Sequence, residues 1–134
     1  MRVFLDTNVL VAAFASRGLC ADVMRTVLAE HELVIGEVVL AELREVLSRR
    51  LKLPAAAVAD IVALLRAQEV VPKPDQPSDL PIRDPDDRWI PASAIAGRAD
   101  VLVTGDQDLL TVADQAPLPI LDPRGFWELL RRPS

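Results

Sequence analysis

Apolar runs that end abruptly alternate with helical periodicities along the chain. Val3-Phe4-Leu5 is a short apolar run closed by Asp6 and suits a buried strand, with Asp6 able to cap a helix after it. Beyond Gly18, Ala21, Met24, Val27 and Leu28 keep helical spacing, and the pattern stops before a second strand, Leu33-Val34-Ile35, closed by Gly36. A strong helix pattern runs from about Glu37 to Leu51, with Val39, Leu43, Val46 and Leu47 on one side. Pro54 starts the next helix, which carries Val58, Ile61, Val62, Leu64 and Leu65, and Val70-Val71 adds a brief strand. Residues 72 to 85 hold Pro72, Pro74, Pro77, Pro81 and Pro85, too many for a helix interior or a central strand, and read as a surface connection. Asp84-Pro85 has the form of an N-cap followed by proline at the first helical position, with a helix to about Gly97. Val101 to Val103 reads as a strand, Asp106 to Ala113 as a short helix, Ile120-Leu121 as a last strand, and Gly125 to Arg132 as a terminal helix. Strands alternating with helices predict an α/β chain whose parallel sheet is covered on both faces.

Composition narrows the class. At 134 residues, 51% of them apolar and 26% charged, the chain predicts one domain over 1–134 with a substantial core. A single cysteine, Cys20, and a single histidine, His31, exclude an internal disulfide framework and a Cys/His zinc cage. The opening MRVFL is followed at once by Asp6, and no run of about 18 apolar residues occurs, so the expected setting is the cytoplasm, away from any membrane. A net charge of −5 argues against a broad basic surface for nucleic acid. Aromatics at 4%, with no tyrosine, argue against a base-stacking platform. Any RNA contact would rest on arginine.

The placement of the acids changes that picture. In an open parallel sheet, sites form beyond the carboxyl ends of the strands. Asp6 ends the first strand; Asp106 follows VLVTG at the end of another, with Asp108 two residues on. Taken singly, Asp6 and Asp106 are as well explained as helix caps. Glu42 falls, at about 100° per residue, within the apolar arc of its helix and should face or border the core. A carboxylate there needs a partner, and Arg49, seven residues on, is one candidate. Asp84, Asp86 and Asp87 crowd a helix start, where the macrodipole favours negative charge. If Asp6, Glu42, Asp87 and Asp106 converge, each pair about 4 Å apart repels by roughly 4 kcal/mol at an effective dielectric near 20, so a cation must be bound. An all-oxygen donor set selects Mg²⁺ or Mn²⁺ over zinc. Such ions lower the pKa of water and stabilise charge on a phosphoryl oxygen, the chemistry of phosphodiester hydrolysis.

The motifs FLDTNVL at 4 to 10, ELREVL at 42 to 47, RDPDD at 83 to 87 and ADVLVTGDQDLL at 99 to 110 occur in the order found in one family. The chain resembles a PIN-domain ribonuclease, the toxin component of prokaryotic type II toxin–antitoxin pairs, over essentially its whole length. The resemblance implies a three-layer α/β/α sandwich with a central parallel sheet of about five strands and an acidic pocket for one or two Mg²⁺ or Mn²⁺ ions. Carried over by position, Asp6, Glu42, Asp87 and Asp106 match the family's catalytic, metal-binding acids, and Asp108 matches a frequent fifth. Asn8 and Thr104 match polar residues that line the pocket, with Asp84 secondary. The 19-residue step from Asp87 to Asp106 selects Asp87 over its neighbours. Two departures stand out. Gly36 occupies a position where a serine or threonine is frequent, and Pro91 falls inside the predicted helix, where it would leave the Asp87 carbonyl without its donor.

The expected activity is cation-dependent hydrolysis of single-stranded RNA, with an RNA substrate, a cognate antitoxin and a homodimer implied by the resemblance. Arg83, Arg88 and Arg98 flank the acid segment and are candidates for phosphate contacts. One alternative is a degenerate scaffold that keeps the fold and binds a partner without cleavage. Another, a phosphatase with an aspartyl nucleophile, lacks the second aspartate it would want, because Asn8 stands there. Two divalent ions in the pocket would take the net charge from −5 to −1, so the acidity is largely local.

Overall fold

The computed structural model describes residues 1–132. Five strands, β1 (Arg2–Leu5), β2 (Glu32–Gly36), β3 (Glu69–Val71), β4 (Val101–Val103) and β5 (Ile120–Leu121), form one all-parallel sheet in the order β3-β2-β1-β4-β5. Seven helices flank it: α1 (Thr7–Ala15), α2 (Leu19–Glu30), α3 (Glu37–Glu45), α4 (Ala55–Arg66), α5 (Trp89–Ala96), α6 (Gln107–Thr111) and α7 (Pro123–Arg131). The chain steps outward from β1 through β2 to β3 and then returns past β1 to β4 and β5, with helices in the connections, giving the three-layer α/β/α sandwich. The strands are apolar runs without alternation because both of their faces are covered: Val3, Phe4, Leu5, Val34, Ile35, Leu102 and Val103 are fully buried.

Strand order reverses between β1 and β4. The neighbours Phe4 and Leu102 are in register, and Asp6 N–H donates to the Val103 carbonyl at 3.0 Å, so the chain leaves both strands at the same edge. A crevice at the carboxyl ends of such a pair is where ligands sit in open α/β sheets.

Several elements differ from the sequence expectation for identifiable reasons. The helix expected over 37–51 is α only to Glu45 and then widens into one π-helical turn, Val46–Arg50. Asp84 does cap the next element, accepting the Asp86 N–H at 3.0 Å with Pro85 following, but that element is a 3₁₀ turn, Pro85–Arg88, and α5 begins only at Trp89. Pro91 therefore falls in the first turn of α5, where a missing N–H removes no helical bond, and the Asp87 carbonyl accepts the Trp89 N–H. The proline-rich segment is not wholly on the surface, since Leu80 and Ile82 are buried in the core. It is also pinned to the 3₁₀ turn: Ser78 N–H donates to the Arg88 carbonyl at 2.9 Å, and Lys73 lies 4.2 Å from the Trp89 ring centroid. The terminal helix starts two residues early, capped by Asp122 through the Gly125 N–H at 2.7 Å, and docks Phe126 fully buried.

Candidate metal centre

Asp6 is the best-fixed acid. It sits at the end of β1 as the N-cap of α1, 4% exposed, and one carboxylate oxygen accepts the Thr7 N–H at 2.7 Å. The other accepts the Thr104 hydroxyl at 2.8 Å and the Asn8 amide at 3.4 Å. Thr104, fully buried at the end of β4, also accepts the Asp106 N–H at 3.0 Å, and the Asn8 amide oxygen accepts the Gly105 N–H at 2.7 Å. The DTN and VTGD segments are thus one hydrogen-bonded unit across the switch point. Asp106 caps α6, accepting the Asp108 N–H at 2.9 Å. The capping explanation for both aspartates holds, and it is compatible with a second role, because each carboxylate has lone pairs to spare.

Asp6, Glu42, Asp87 and Asp106 line one cavity of about 310 Å³, together with Asn8. Oxygens of Asp87, Asp106 and Asp108 lie within 4.8 Å of one another, a group that includes neither Asp6 nor Glu42, and Asp108 itself does not line the cavity. Glu42 is exposed at the cavity rim, not turned toward the core, and Arg49 is not its partner: Arg49 pairs with Glu45 at 3.2 Å. Asp84 is exposed and contributes a charge near Asp87, but does not line the cavity. Arg83, Arg88 and Arg98 do not line it either, and Arg98 belongs to a pocket with Arg2 and Glu69 at the opposite edge of the sheet. The cavity's one cationic lining residue among those described is Arg50, which the sequence reading passed over. Thr7, buried with its hydroxyl unpartnered, was also passed over.

The electrostatics mark an uncompensated cluster. Burial pushes the Asp6 carboxyl up to about 6, against the opposing hydrogen bonds from Thr104 and Thr7, with Glu42 and Asp106 pushing the same way. Loss of hydration, then the charges of Asp106 and Asp84, raise Asp87 to about 7. No salt bridge reaches any of the five acids among the described residues. Hard oxygen donors converging without a counter-charge fit a divalent cation of the Mg²⁺ or Mn²⁺ type. Asp87, Asp106 and Asp108 are positioned to share one, with Asp6 lining the cavity alongside Asp87 and Asp106.

The Gly36 departure has a steric cause. A Cβ there would lie 3.1 Å from the Phe4 ring and 3.3 Å from the Ser93 Cβ, and Gly36 does not line the cavity. A PIN-domain family model matches residues 2–108, so the chain belongs to the PIN-domain family. Among solved structures, the fold is similar to VapBC2 from Rickettsia felis bound to a DNA fragment from its promoter: TM-score 0.63, 18% identity, 91% of this chain and 98% of that one. VapBC-1 from nontypeable Haemophilus influenzae gives 0.62 at 20% identity over 92% and 99% of the two chains. FitAcB from Neisseria gonorrhoeae gives 0.61 at 18% identity over 91% and 98%. A search of curated proteins finds no match.

Proposed function

We propose that the protein is a Mg²⁺- or Mn²⁺-dependent endoribonuclease acting on single-stranded RNA, the toxin half of a cytoplasmic toxin–antitoxin pair. The observation that carries the reading is the gathering of Asp6, Glu42, Asp87 and Asp106 around one cavity at the switch point, with no paired cation. A bound divalent cation supplies a nucleophilic water and offsets charge on a phosphoryl oxygen. The chain does the rest. Asp87, Asp106 and Asp108 would supply the shared oxygen donors, and Asp6, locked by Thr104, Asn8 and the Thr7 N–H, holds a fixed carboxylate on the lining of the cavity. A bound cation would lower the raised pKa values of Asp6 and Asp87, so its binding would favour their ionised forms. Val11, Val46 and Ile90 complete the lining and reduce hydration of the charges within it.

The likeness to VapBC and FitAcB structures supports the toxin reading and, with it, a cognate antitoxin partner. The homodimer stays in the proposal on the strength of the family resemblance alone. Labelled single-stranded RNA is the direct test. Cleavage is expected with Mn²⁺ or Mg²⁺ and none with EDTA; cleavage that survives EDTA sinks the metal-dependent reading. A small reading frame beside the gene, whose product suppresses that cleavage on co-expression, is the result expected of a toxin. Its absence removes the antitoxin from the proposal and leaves the nuclease.

A further inference from the structure

We propose that Arg50 is a phosphate-binding residue that seats the RNA backbone over the acidic cavity, an inference that rests on the ribonuclease reading above. It follows from the one irregular helical turn beside the site. In an uninterrupted α-helix each residue advances by about 100°, which puts Arg49 close to the line of Glu42 and Arg50 roughly 80° away from it. The chain departs from that path at Val46, where the Leu51 N–H donates to the Val46 carbonyl at 3.0 Å, an i to i+5 bond. A π turn takes about 4.4 residues, or roughly 80° each, so four such steps from Val46 bring Arg50 back into line with Glu42 and carry Arg49 away.

The side chains follow the arithmetic. Arg49 turns to Glu45 at 3.2 Å, whereas Arg50 lines the cavity with Asp6, Glu42, Asp87 and Asp106. Among the described residues no carboxylate forms a salt bridge with Arg50. A second cavity of about 450 Å³ adjoins the first, shares with it Glu42, Val46 and Arg50, and is otherwise lined by the Glu45–Arg49 pair. The guanidinium thus stands where a strand leaving the acidic centre crosses into the next depression. A polyanion approaching four carboxylates needs a positive group besides any bound cation, and a planar guanidinium fork matches phosphate oxygens. Single π turns are uncommon and concentrate at functional sites. Here the turn has a definable consequence: it puts Arg50, and not Arg49, on the lining of the cavity that holds Asp6, Asp87 and Asp106.

The competing role, in which Arg50 only balances the acids, predicts a different result. Arg50→Ala, Arg50→Lys and the control Arg49→Ala are compared by steady-state cleavage of a single-stranded RNA, by anisotropy with the same RNA across a salt series in an Asp106→Asn background, and by calorimetric Mn²⁺ titration. Arg50→Ala is expected to raise KM and Kd about tenfold with kcat within about twofold, as for loss of one charge-assisted contact. The salt dependence of log Kd is expected to weaken by about 0.7, the share of one phosphate on a single strand. Mn²⁺ affinity stays unchanged, Arg50→Lys recovers part of the loss, and Arg49→Ala, whose guanidinium is already engaged by Glu45, has the smaller effect on RNA affinity. Unchanged RNA affinity and salt slope in Arg50→Ala overturn the proposal, as does a change confined to Mn²⁺ affinity. Wild type that binds RNA through Arg50 without cutting it overturns the ribonuclease reading and keeps this one. Cleavage that is indifferent to Arg50 does the reverse, and RNA neither bound nor cut overturns both.

Discussion

The two edges of the sheet treat charge in opposite ways. At the amino edge, Arg2 bonds Glu32 at 2.7 Å and Glu69 at 2.9 Å, donates twice to the Gly97 carbonyl, and its N–H donates to Asp100 at 2.7 Å. Three acids from three separate segments are tied to one residue of β1. At the carboxyl edge, Asp6, Glu42, Asp87, Asp106 and Asp108 have no basic partner within salt-bridge distance among the described residues, and the backbone itself fixes the worst of the crowding by holding Asp6 and Asp106 as helix caps. Satisfied charge ties the strands to one another; unsatisfied charge at the switch point leaves work for a ligand. Repelling carboxylates persist in a fold only when something else holds them, which here is the Asn8–Thr104 network.

Removing an acid at the open edge should have the largest effect. Asp106→Asn or Asp6→Asn is expected to lower cleavage by at least about a hundredfold, as for loss of one preorganised electrostatic contact. Both variants should stay folded, since an amide oxygen can still accept the capping N–H groups. Full activity in both would remove these acids from the mechanism.

The two edges should also respond to pH with opposite sign. Asp6 and Asp87 have folded pKa values raised above the unfolded value near 3.8, so their contribution to stability is complete below about pH 4 and is lost as pH rises through about 6 and 7. For buried Asp6 the loss amounts to about 3 kcal/mol. Arg2 holds the Glu69 carboxyl below its ordinary value, so that contribution is present above about pH 4.5 and lost on acidification. Urea denaturation of the metal-free protein between pH 4 and 8 should therefore show stability falling toward neutral pH. Mn²⁺ should restore it by binding only the folded state. A metal-free protein that gains stability from pH 5 to 7 would falsify the assignment.

Legibility along the sequence followed the same division between regular and irregular backbone. Strands announced themselves as apolar runs, and Asp6 and Asp106 as acids at their ends, so the edge of the sheet they occupy could be read directly. Glu42 was expected to face or border the core and is exposed instead, because the helix borders an open cavity there and not the core. Arg50 left no trace at all: Val46 and Leu47 look the same in an α or a π turn, and only the backbone decides which arginine follows Glu42 around. The switch from 3₁₀ to α at Trp89, which makes Pro91 harmless, was hidden for the same reason. The Asp122-Pro123 cap, by contrast, repeats the Asp84-Pro85 signature and was available to be read.

At the paired edge the expected loss is in stability and not in chemistry. Arg2→Ala removes two hydrogen bonds to the Gly97 carbonyl and the ties to Glu32 and Glu69, and is expected to cost about 2 kcal/mol in urea denaturation. Cleavage per folded molecule should be unchanged, since Arg2 lies at the far ends of the strands from the acids. An activity loss without a stability loss would break the division between the edges.

Gly36→Ser is the finest probe, because two small effects oppose each other at a position beside the open edge. Gly36 is the N-cap of α3, with φ −88° and ψ 143° and no side-chain hydrogen bond, so a serine hydroxyl could satisfy an orphan N–H. That gain over glycine is only a few tenths of a kcal/mol. Against it, the new Cβ meets the Phe4 ring at 3.1 and 3.3 Å and the Ser93 Cβ at 3.3 Å, and both residues are fully buried. Overpacking of this kind typically costs about 1 kcal/mol or more, so the variant should be less stable by about 1 kcal/mol. Cleavage should not rise, because Gly36 does not line the acidic cavity. A Gly36→Ser protein that cuts RNA faster would mean the cavity lacks a hydroxyl contact after all, and that the close approach of Phe4 was obtained at the expense of the site.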